Sequence, residues 1–295
     1  MRPKPGTMPE LPEVESVRQG LARARITGPI TELWRSELNL RTGEYWRRER
    51  ESLERLMGAM PGPVRRRGKY LIWHFSRAEK EMGLVIHLGM SGRCGIVQAS
   101  APSAKHTHLR VCFADGRELR FVDPRRFGGL RAGSLPGLYE DGPLSRLGPE
   151  PLASGFDGSV LMGSLGRSTR GLRDALLDQR AVAGIGNIYA VEALFEAKLH
   201  PLLACDRLAQ SAWQRLADAL QRVLRRSIKN GGTTLKDFRK VDGEVGRNQE
   251  DLRVYGRAQQ PCPCCSTALV AFVSAGRSGA RCKLCQKMSR SRRVL

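Results

Sequence analysis

Residues 109–122 read LRVCFADGRELRFV and indicate the architecture of the first half of the chain. Two short apolar runs, 109–113 and 119–122, flank Ala114-Asp115-Gly116, whose small and polar residues favour a turn between two strands. Other runs with strand character lie at 30–34, 70–75 and 84–88. Because no helical segments alternate with these runs, the first half is predicted to form an antiparallel β-sandwich.

Apolar residues at helical spacing lie on both sides of this β-rich region. Val14, Val17 and Leu21 predict an N-terminal helix that packs on the sandwich. Three further helical faces follow: Leu172, Leu176 and Leu177; Ile188, Val191, Leu194 and Phe195; and Trp213, Leu216, Leu220, Val223 and Leu224. The Gly-, Pro- and Ser-rich segment 142–164 is predicted to join the two parts. The predicted fold class is therefore α+β.

The charge of the chain indicates a polyanionic partner. There are 50 Lys and Arg against 29 Asp and Glu, which gives a formal net charge of +21. Nucleic acid is the leading candidate, because each phosphate that a cation neutralises releases condensed counterions. A ribosome-associated protein, or simple solubility in an organism that prefers Arg, is the alternative explanation of the charge.

Five of the eight cysteines lie between residues 262 and 285. The pairs Cys262-x-x-Cys265 and Cys282-x-x-Cys285 are separated by 16 residues, the spacing of a ribbon that holds one tetrahedral zinc. Four thiolates leave no open coordination position, so the predicted zinc is structural. Because no apolar run approaches the roughly 20 residues of a membrane span and no export signal is seen, we expect a reducing, cytoplasmic compartment.

The string Met8–Glu15, MPELPEVE, resembles the beginning of the formamidopyrimidine-DNA glycosylase family, whose members excise oxidised bases. Further segments resemble the family in the same order: RGKY at 67–70, HLGMSG at 87–92, KHTH at 105–108, DPRRFG at 123–128, GIGNIY at 184–189, GGTT at 231–234, VYGR at 254–257 and the four-cysteine ribbon. The resemblance extends from Met8 to Lys287 and implies three domains and a tail. We expect a catalytic β-sandwich with a leading helix at 8–141, a helix-two-turn-helix domain at 142–250, a zinc finger at 251–287 and a basic tail at 288–295.

The resemblance also implies the catalytic residues. The family's nucleophile is the secondary amine of an N-terminal proline, which here is Pro9 once Met8 has been removed. Glu10 would be the acid/base carboxylate and Glu13 a supporting one, although both would also favour a helix N-terminus electrostatically. Lys69 would serve β-elimination, and Arg277 would serve δ-elimination and phosphate binding. Residues 1–7 precede Met8, so we expect the working start to be Met8.

The same mapping gives the DNA-binding residues, which are Met90, His106, Arg125, Arg126, Phe127, Asn187 and Tyr255. Met90, Arg125 and Phe127 resemble the trio that fills the gap left by an everted nucleotide, whose eversion costs a few kcal/mol. Met90 and Phe127 are also residue types that commonly belong to a core. The turn at 184–187 either seats a phosphate or forms a helix corner.

The predicted function is that of a bifunctional DNA glycosylase and abasic-site lyase that acts on oxidised purines in double-stranded DNA, as a monomer. Two alternatives remain open. One is a glycosylase for oxidised pyrimidines, as in the endonuclease VIII branch of the family. The other is a non-catalytic binder of damaged DNA, which would keep the basic surface and the finger without a free proline amine.

Overall fold

The computed structural model describes residues 8–40, 44–47, 49–233 and 246–288. Residues 1–7, Thr234 of the GGTT segment and the predicted tail from 289 onward lie outside the described residues. Contacts between Cα atoms group the chain into two compact units, 1–145 with 230–247 and 146–229 with 248–295. The domain boundaries expected from the sequence stay predictions.

The helices and strands alternate irregularly along the chain. The strands are β1 (Ile30–Arg35), β2 (Met60–Arg67), β3 (Tyr70–Arg77), β4 (Lys80–His87), β5 (Arg93–Gln98), β6 (Thr107–Phe113), β7 (Arg117–Val122), β8 (Gly129–Ser134), β9 (Val270–Ser274) and β10 (Arg277–Arg281). The α-helices are α1 (Leu11–Arg23), α2 (Glu44–Arg47), α3 (Glu49–Glu54), α4 (Leu135–Glu140), α5 (Gly158–Leu165), α6 (Leu172–Leu176), α7 (Asn187–Glu196) and α8 (Gln210–Lys229). Short 3-10 helices lie at Cys205–Arg207 and Asn248–Asp251.

The first unit contains two four-stranded antiparallel sheets, with strand orders β1-β6-β7-β5 and β2-β3-β4-β8. Their facing side chains share one hydrophobic cluster, which includes Trp73 from the second sheet and Phe121 from the first. Val14 and Val17 of α1 belong to the same cluster. The predicted antiparallel sandwich with a leading helix is therefore confirmed.

The predicted hairpin at 109–122 is present as β6 and β7. Gly116 adopts a φ of +80° in the connecting turn, and its N–H donates to the carbonyl oxygen of Phe113 at 3.0 Å. Three strands of the sandwich carry no clear strand signal in the sequence, namely β2, β5 and β8. In β2, Pro61 and Pro63 interrupt the apolar pattern, and the pairing with β3 shifts register between Pro61 and Val64.

The second unit is helical before residue 230. The apolar face predicted around Trp213 and Leu224 is buried in α8. The predicted joining segment 142–164 is too long, because α5 begins at Gly158 within it. Asp157 caps this helix by accepting from the backbone N–H groups of Ser159 and Val160 at 2.8 and 2.9 Å.

The last part of the second unit is the hairpin of β9 and β10. Its two-residue turn, Ala275-Gly276, has positive φ values of 43° and 69°. A small hydrophobic cluster joins this hairpin to Val191 and Phe195 of α7. The cysteine-rich end of the chain is thereby packed on a helix of its own unit.

Candidate active site and metal centre

The N-terminus of α1 carries the residues that the sequence singled out as catalytic. Pro9 is buried and Glu10 occupies the position that caps the helix, with an extended φ of −102°. Pro12 lies in the first turn, where a missing N–H is tolerated. Glu10 and Glu13 form a reciprocal capping box, so the helix-terminus role weighed for these carboxylates is present.

Glu13 connects the helix to a distant loop of the same unit. Its carboxylate accepts from the Glu10 N–H at 2.9 Å and from the Thr233 N–H at 2.7 Å, and the residue is only 2% exposed. Gly232 has a φ of +82°, and a Cβ atom there would lie 3.2 Å from Oε1 of Glu13. Glycine therefore permits both the backbone conformation and the close approach of this loop to the carboxylate.

Lys69 lies in the two-residue turn between β2 and β3, directly after Gly68, which has a φ of +56°. The turn is linked to α1 through one arginine. Arg66 donates from Nε to Oε2 of Glu15 at 3.1 Å and from Nη1 to the carbonyl oxygen of Gly68 at 3.2 Å. Glu15 also binds Arg18, with 2.7 Å between Nη2 and Oε1. Burial opposes ionisation of Glu15, but Arg18 and Arg66 outweigh it and lower the pKa of this carboxyl.

Asp123 holds together the two loops that carry Met90 and Arg125. It is completely buried and accepts from the Ser91 hydroxyl at 2.5 Å and from the Gly128 N–H at 2.7 Å. The Arg125 N–H donates to Asp123 at 3.3 Å and to the Ser91 hydroxyl oxygen at 3.2 Å. One buried carboxylate thus receives hydrogen bonds from both loops.

Glycine allows the same two loops to touch. Gly89 has a φ of +65°, and a Cβ atom there would overlap the backbone of Phe127 and Gly128. The close approach places the loop that carries Met90 directly against the loop that carries Phe127. It also requires a residue without a side chain at position 89.

The side chains predicted to bind DNA in the first unit are mostly at its surface. Phe127 is 47% exposed and lies 5.0 Å from the Arg125 guanidinium, measured to the ring centroid. Arg126 and His106 are exposed and have positive φ values of 56° and 65°. Met90 is half-buried. Phe127 is therefore not a core residue, and the exposed arginines are available to a partner.

Asn187 and Tyr255 lie in the second unit. Asn187 begins α7 and donates from Nδ2 to the carbonyl oxygen of Ser278 at 2.9 Å, while its buried Oδ1 has no hydrogen-bond partner within the described ranges. Tyr255 is half-buried, and its N–H donates to Oε1 of Glu192 at 2.7 Å. Glu192 also accepts from two preceding N–H groups, at 253 and 254, and burial raises its pKa.

The turn before α7 is held by a side chain. The Gly184 N–H donates to Oε1 of Gln179 at 2.9 Å, and the Gln179 amide donates back to the carbonyl of Ile185 at 2.7 Å. At least one N–H of this glycine turn is therefore engaged within the protein. The helix-corner alternative accounts for Gly184.

Arg277 is exposed and begins β10 directly after the hairpin turn. Arg173, which the sequence did not single out, lies completely buried beneath this turn. Its Nη2 donates to the carbonyl oxygens of Ser274 and Arg277 at 2.6 and 3.2 Å. Asp174 accepts from the Ser274 hydroxyl at 2.5 Å. These contacts join residues about a hundred positions apart, so no local pattern in the sequence predicts them.

Four cysteine sulfurs converge at the base of the hairpin. The Sγ atoms of Cys262, Cys265, Cys282 and Cys285 all lie within 4.8 Å of one another, an arrangement that could hold a metal ion. Cys262 and Cys285 are 3.9 Å apart, and Cys265 lies 3.4 Å from Cys282. Cys264 is exposed and is not one of the four residues of this cluster.

Two family models match most of the chain. The formamidopyrimidine-DNA glycosylase N-terminal domain matches residues 8–130, and the H2TH domain of formamidopyrimidine-DNA glycosylase matches residues 147–239. The formamidopyrimidine-DNA glycosylases of Teredinibacter turnerae and Vibrio cholerae are each 40% identical to the chain, over 95% of it and 100% of the relative. The chain belongs to the formamidopyrimidine-DNA glycosylase family.

Solved structures of this family have the same fold. The MutM (Fpg) protein of Thermus thermophilus superposes with a TM-score of 0.81 at 36% identity, covering 95% of this chain and 100% of that one. The Lactococcus lactis Fpg in complex with DNA that contains an abasic site superposes with a TM-score of 0.82 at 32% identity, covering 94% and 99%. The H2TH match at 147–239 lies in the second unit up to residue 229, and its remaining residues belong to the first unit. Across the described residues, no helix has the length and apolar character that crossing a membrane requires.

Proposed function

We propose that Pro9 is the nucleophile of this base-excision-repair glycosylase and abasic-site lyase, and that oxidised purines in double-stranded DNA are its substrates. Membership of the family over nearly the whole chain is the observation that carries the proposal. The N-terminal family model begins at residue 8, which supports Met8 as the start that leaves Pro9 terminal after its removal.

A terminal proline suits this chemistry because its nitrogen is a secondary amine. An α-amino group has a pKa of about 7.7–8.0, so a useful fraction is neutral near pH 7. The lone pair forms a bond to C1′ of the damaged nucleotide, and the base departs with the electron pair of the broken C1′–base bond and takes up a proton from solvent. The C1′–O4′ bond then breaks, the ring oxygen takes up the proton that the proline nitrogen gives up, and an iminium cation remains between that nitrogen and C1′. This cation withdraws electrons and acidifies the proton on C2′.

Glu10 is proposed to move protons at this step, and Glu13 to support it. Glu10 is adjacent to the nucleophile and buried, so its carboxyl group is close to the reacting nitrogen along the chain. Glu13 fixes the backbone of Glu10 through the 2.9 Å hydrogen bond to its N–H. We assign Glu13 a positioning role for the N-terminus of α1.

Lys69 and Arg277 are assigned to strand cleavage. Loss of the C2′ proton pushes electrons toward C3′, and the bond to the 3′ phosphate breaks as β-elimination. A second elimination releases the 5′ phosphate, and Arg277 is proposed to stabilise the departing negative charge. Lys69 lies on the β2–β3 turn and Arg277 directly follows the β9–β10 turn, positions at which a cationic group can reach a phosphate.

The remaining site residues are proposed to bind DNA. Met90, Arg125 and Phe127 would fill the gap that an everted nucleotide leaves, which offsets part of the lost stacking. The exposure of Phe127 and its contact with the Arg125 guanidinium support this assignment. His106, Arg126, Asn187 and Tyr255 are assigned to the DNA backbone.

The metal of the cysteine cluster is proposed to be one structural Zn²⁺. A tetrahedral site with Zn–S bonds of about 2.3 Å has sulfur–sulfur edges of about 3.8 Å. Three of the sulfur–sulfur separations are 3.4, 3.6 and 3.9 Å, and all of them lie within 4.8 Å, so the cluster is close to these edges. Bound zinc would stabilise the short hairpin and take no part in the reaction, since four sulfurs close its coordination shell. Reduced thiols at this site favour a cytoplasmic compartment.

One trapping experiment tests chemistry and substrate together. The purified protein is incubated with duplexes that carry 8-oxoguanine, a formamidopyrimidine or an oxidised pyrimidine, with borohydride present to reduce the iminium. We expect a covalent protein–DNA adduct with the first two duplexes. An adduct with the oxidised pyrimidine alone would favour the endonuclease VIII type of activity. Binding to all three without any adduct would favour a non-catalytic binder.

A further inference from the structure

We propose that Arg66 is a positioning residue that fixes the turn carrying Lys69 against the helix that begins beside Pro9. This inference rests on the proposed function of Pro9 and Lys69. It assigns Arg66 a role that acts through Lys69 and not through contact with the substrate. The pair Arg66–Glu15, together with the carbonyl of Gly68, is called here the turn clamp.

The turn clamp joins two elements that would each supply one catalytic group. Arg66 is the second-last residue of β2, and Glu15 lies one turn into α1. The guanidinium reaches Glu15 through Nε at 3.1 Å and the carbonyl oxygen of Gly68 through Nη1 at 3.2 Å. Both side chains are largely buried, at 10% and 14% exposure, so water competes poorly for these bonds.

The carbonyl of Gly68 controls the orientation of Lys69. The carbonyl belongs to the peptide unit that joins Gly68 to Lys69, and this unit is planar and stiff. Gly68 itself has a φ of +56°, a region in which glycine moves with little steric restraint. The hydrogen bond from Arg66 therefore limits the rotation that the flexible glycine would otherwise permit. The direction in which the Lys69 side chain leaves the backbone is held with it.

Arginine suits the clamp better than lysine would. A planar guanidinium can donate in two directions at once, whereas an ammonium group is a compact point charge on a flexible stem. Arg18 provides a comparison within the same chain. It binds the same carboxylate at 2.7 Å, and this contact lies within α1 rather than on the turn.

If the turn clamp positions Lys69, its loss should slow strand cleavage specifically, an effect that a purely structural ion pair would not produce. Misplacement of a catalytic group by about 1 Å can reduce a rate by about 100-fold. Replacing Arg66 should therefore slow β-elimination, where Lys69 is proposed to act, more than the release of the damaged base. Replacing Arg18 should change both steps to the same small extent.

The experiment compares Arg66→Gln, Arg66→Lys and Arg18→Gln under single-turnover conditions. Base release is measured on a duplex with 8-oxoguanine, and strand cleavage is measured separately on a duplex with an abasic site. We expect Arg66→Gln to slow strand cleavage at least about 10-fold relative to base release. Arg66→Lys should recover only part of this loss, and Arg18→Gln should stay within about threefold of the wild type at both steps.

A double variant separates positioning from stability. If Arg66 acts through Lys69, adding Arg66→Gln to Lys69→Ala should cause little further loss of strand cleavage. Independent, multiplying losses would overturn the inference, as would equal losses at both steps. Glu15→Gln provides a second route to the same result if Arg66→Gln fails to fold. A wild-type protein that forms no borohydride adduct would instead overturn the proposed function itself.

Discussion

Replacing Asp123 with alanine is expected to loosen both loops that carry Met90 and Phe127. The carboxylate is fully buried and receives hydrogen bonds from the Ser91 hydroxyl, the Gly128 N–H and, at longer distance, the Arg125 N–H. Alanine removes all three acceptor contacts at once. The Gly128 N–H is buried, so it cannot exchange the carboxylate for water without a local opening.

The expected cost follows from the two short hydrogen bonds. A hydrogen bond to a charged group contributes about 1.5–3 kcal/mol, so two of them give a loss of about 3–5 kcal/mol once partial relaxation is included. A domain is typically stable by about 5–15 kcal/mol, so the variant should fold with a much reduced margin. Asp123→Asn should cost less, because a carboxamide keeps one oxygen for Gly128 and the Ser91 hydroxyl can turn to accept.

Urea unfolding, followed by amide hydrogen exchange in peptides of the sandwich, measures this loss. Asp141→Ala is a matched control in the same unit, since that side chain is 69% exposed and its Oδ2 lies 3.7 Å from Nη2 of Arg131. The control should lose no more than about 1 kcal/mol. If Asp123→Ala also lost about 1 kcal/mol or less, with normal exchange at Gly128, the buried carboxylate would not be what holds the loops.

Three further outcomes are expected. Arg173→Met should lower the free energy of unfolding by about 3–5 kcal/mol and speed amide exchange in the β9–β10 hairpin, because the carboxylate of Asp174 and two carbonyl oxygens lose the buried guanidinium that they bind; calorimetry together with exchange checks this. Chelation of the metal should abolish amide protection in the same hairpin and leave the sandwich peptides protected, as measured by exchange with and without a strong zinc chelator. The pKa of Glu15 is lowered in the folded protein, so the ionised carboxylate should stabilise the fold at neutral pH and lose this effect as the pH falls below about 4.3. The difference in unfolding free energy between the wild type and Glu15→Gln, measured as a function of pH, should therefore vanish below that pH.

Local signals in the sequence are sufficient for several elements of the fold. The hairpin at 109–122 shows both its apolar runs and its turn, and α8 shows a continuous apolar face. Cysteine spacing predicts the metal cluster because two-residue gaps bring each pair of sulfurs together. Strand β2 is not predicted from the sequence, because its prolines and the run Arg65–Arg67 interrupt the apolar pattern around the buried Val64.

The features of the site that the sequence patterns do not predict depend on contacts between residues far apart in the sequence. Glu13 meets Thr233 across 220 positions, and Arg173 meets Arg277 across 104. The motif around Asp123 identifies the loop but gives no sign that its carboxylate is the shared acceptor. Family resemblance supplied the roles of Pro9 and Lys69, whereas only the three-dimensional structure brings Arg66 into the site.

The position at which borohydride fixes the protein–DNA adduct tests most directly whether Pro9 is the nucleophile. Protein trapped on an abasic duplex is digested, and the cross-linked peptide is sequenced by mass spectrometry. A peptide that begins at Pro9 and carries the reduced sugar on the proline nitrogen is the predicted result. A sugar attached to a lysine side chain, or an active protein in which Pro9 is still preceded by other residues, would contradict it.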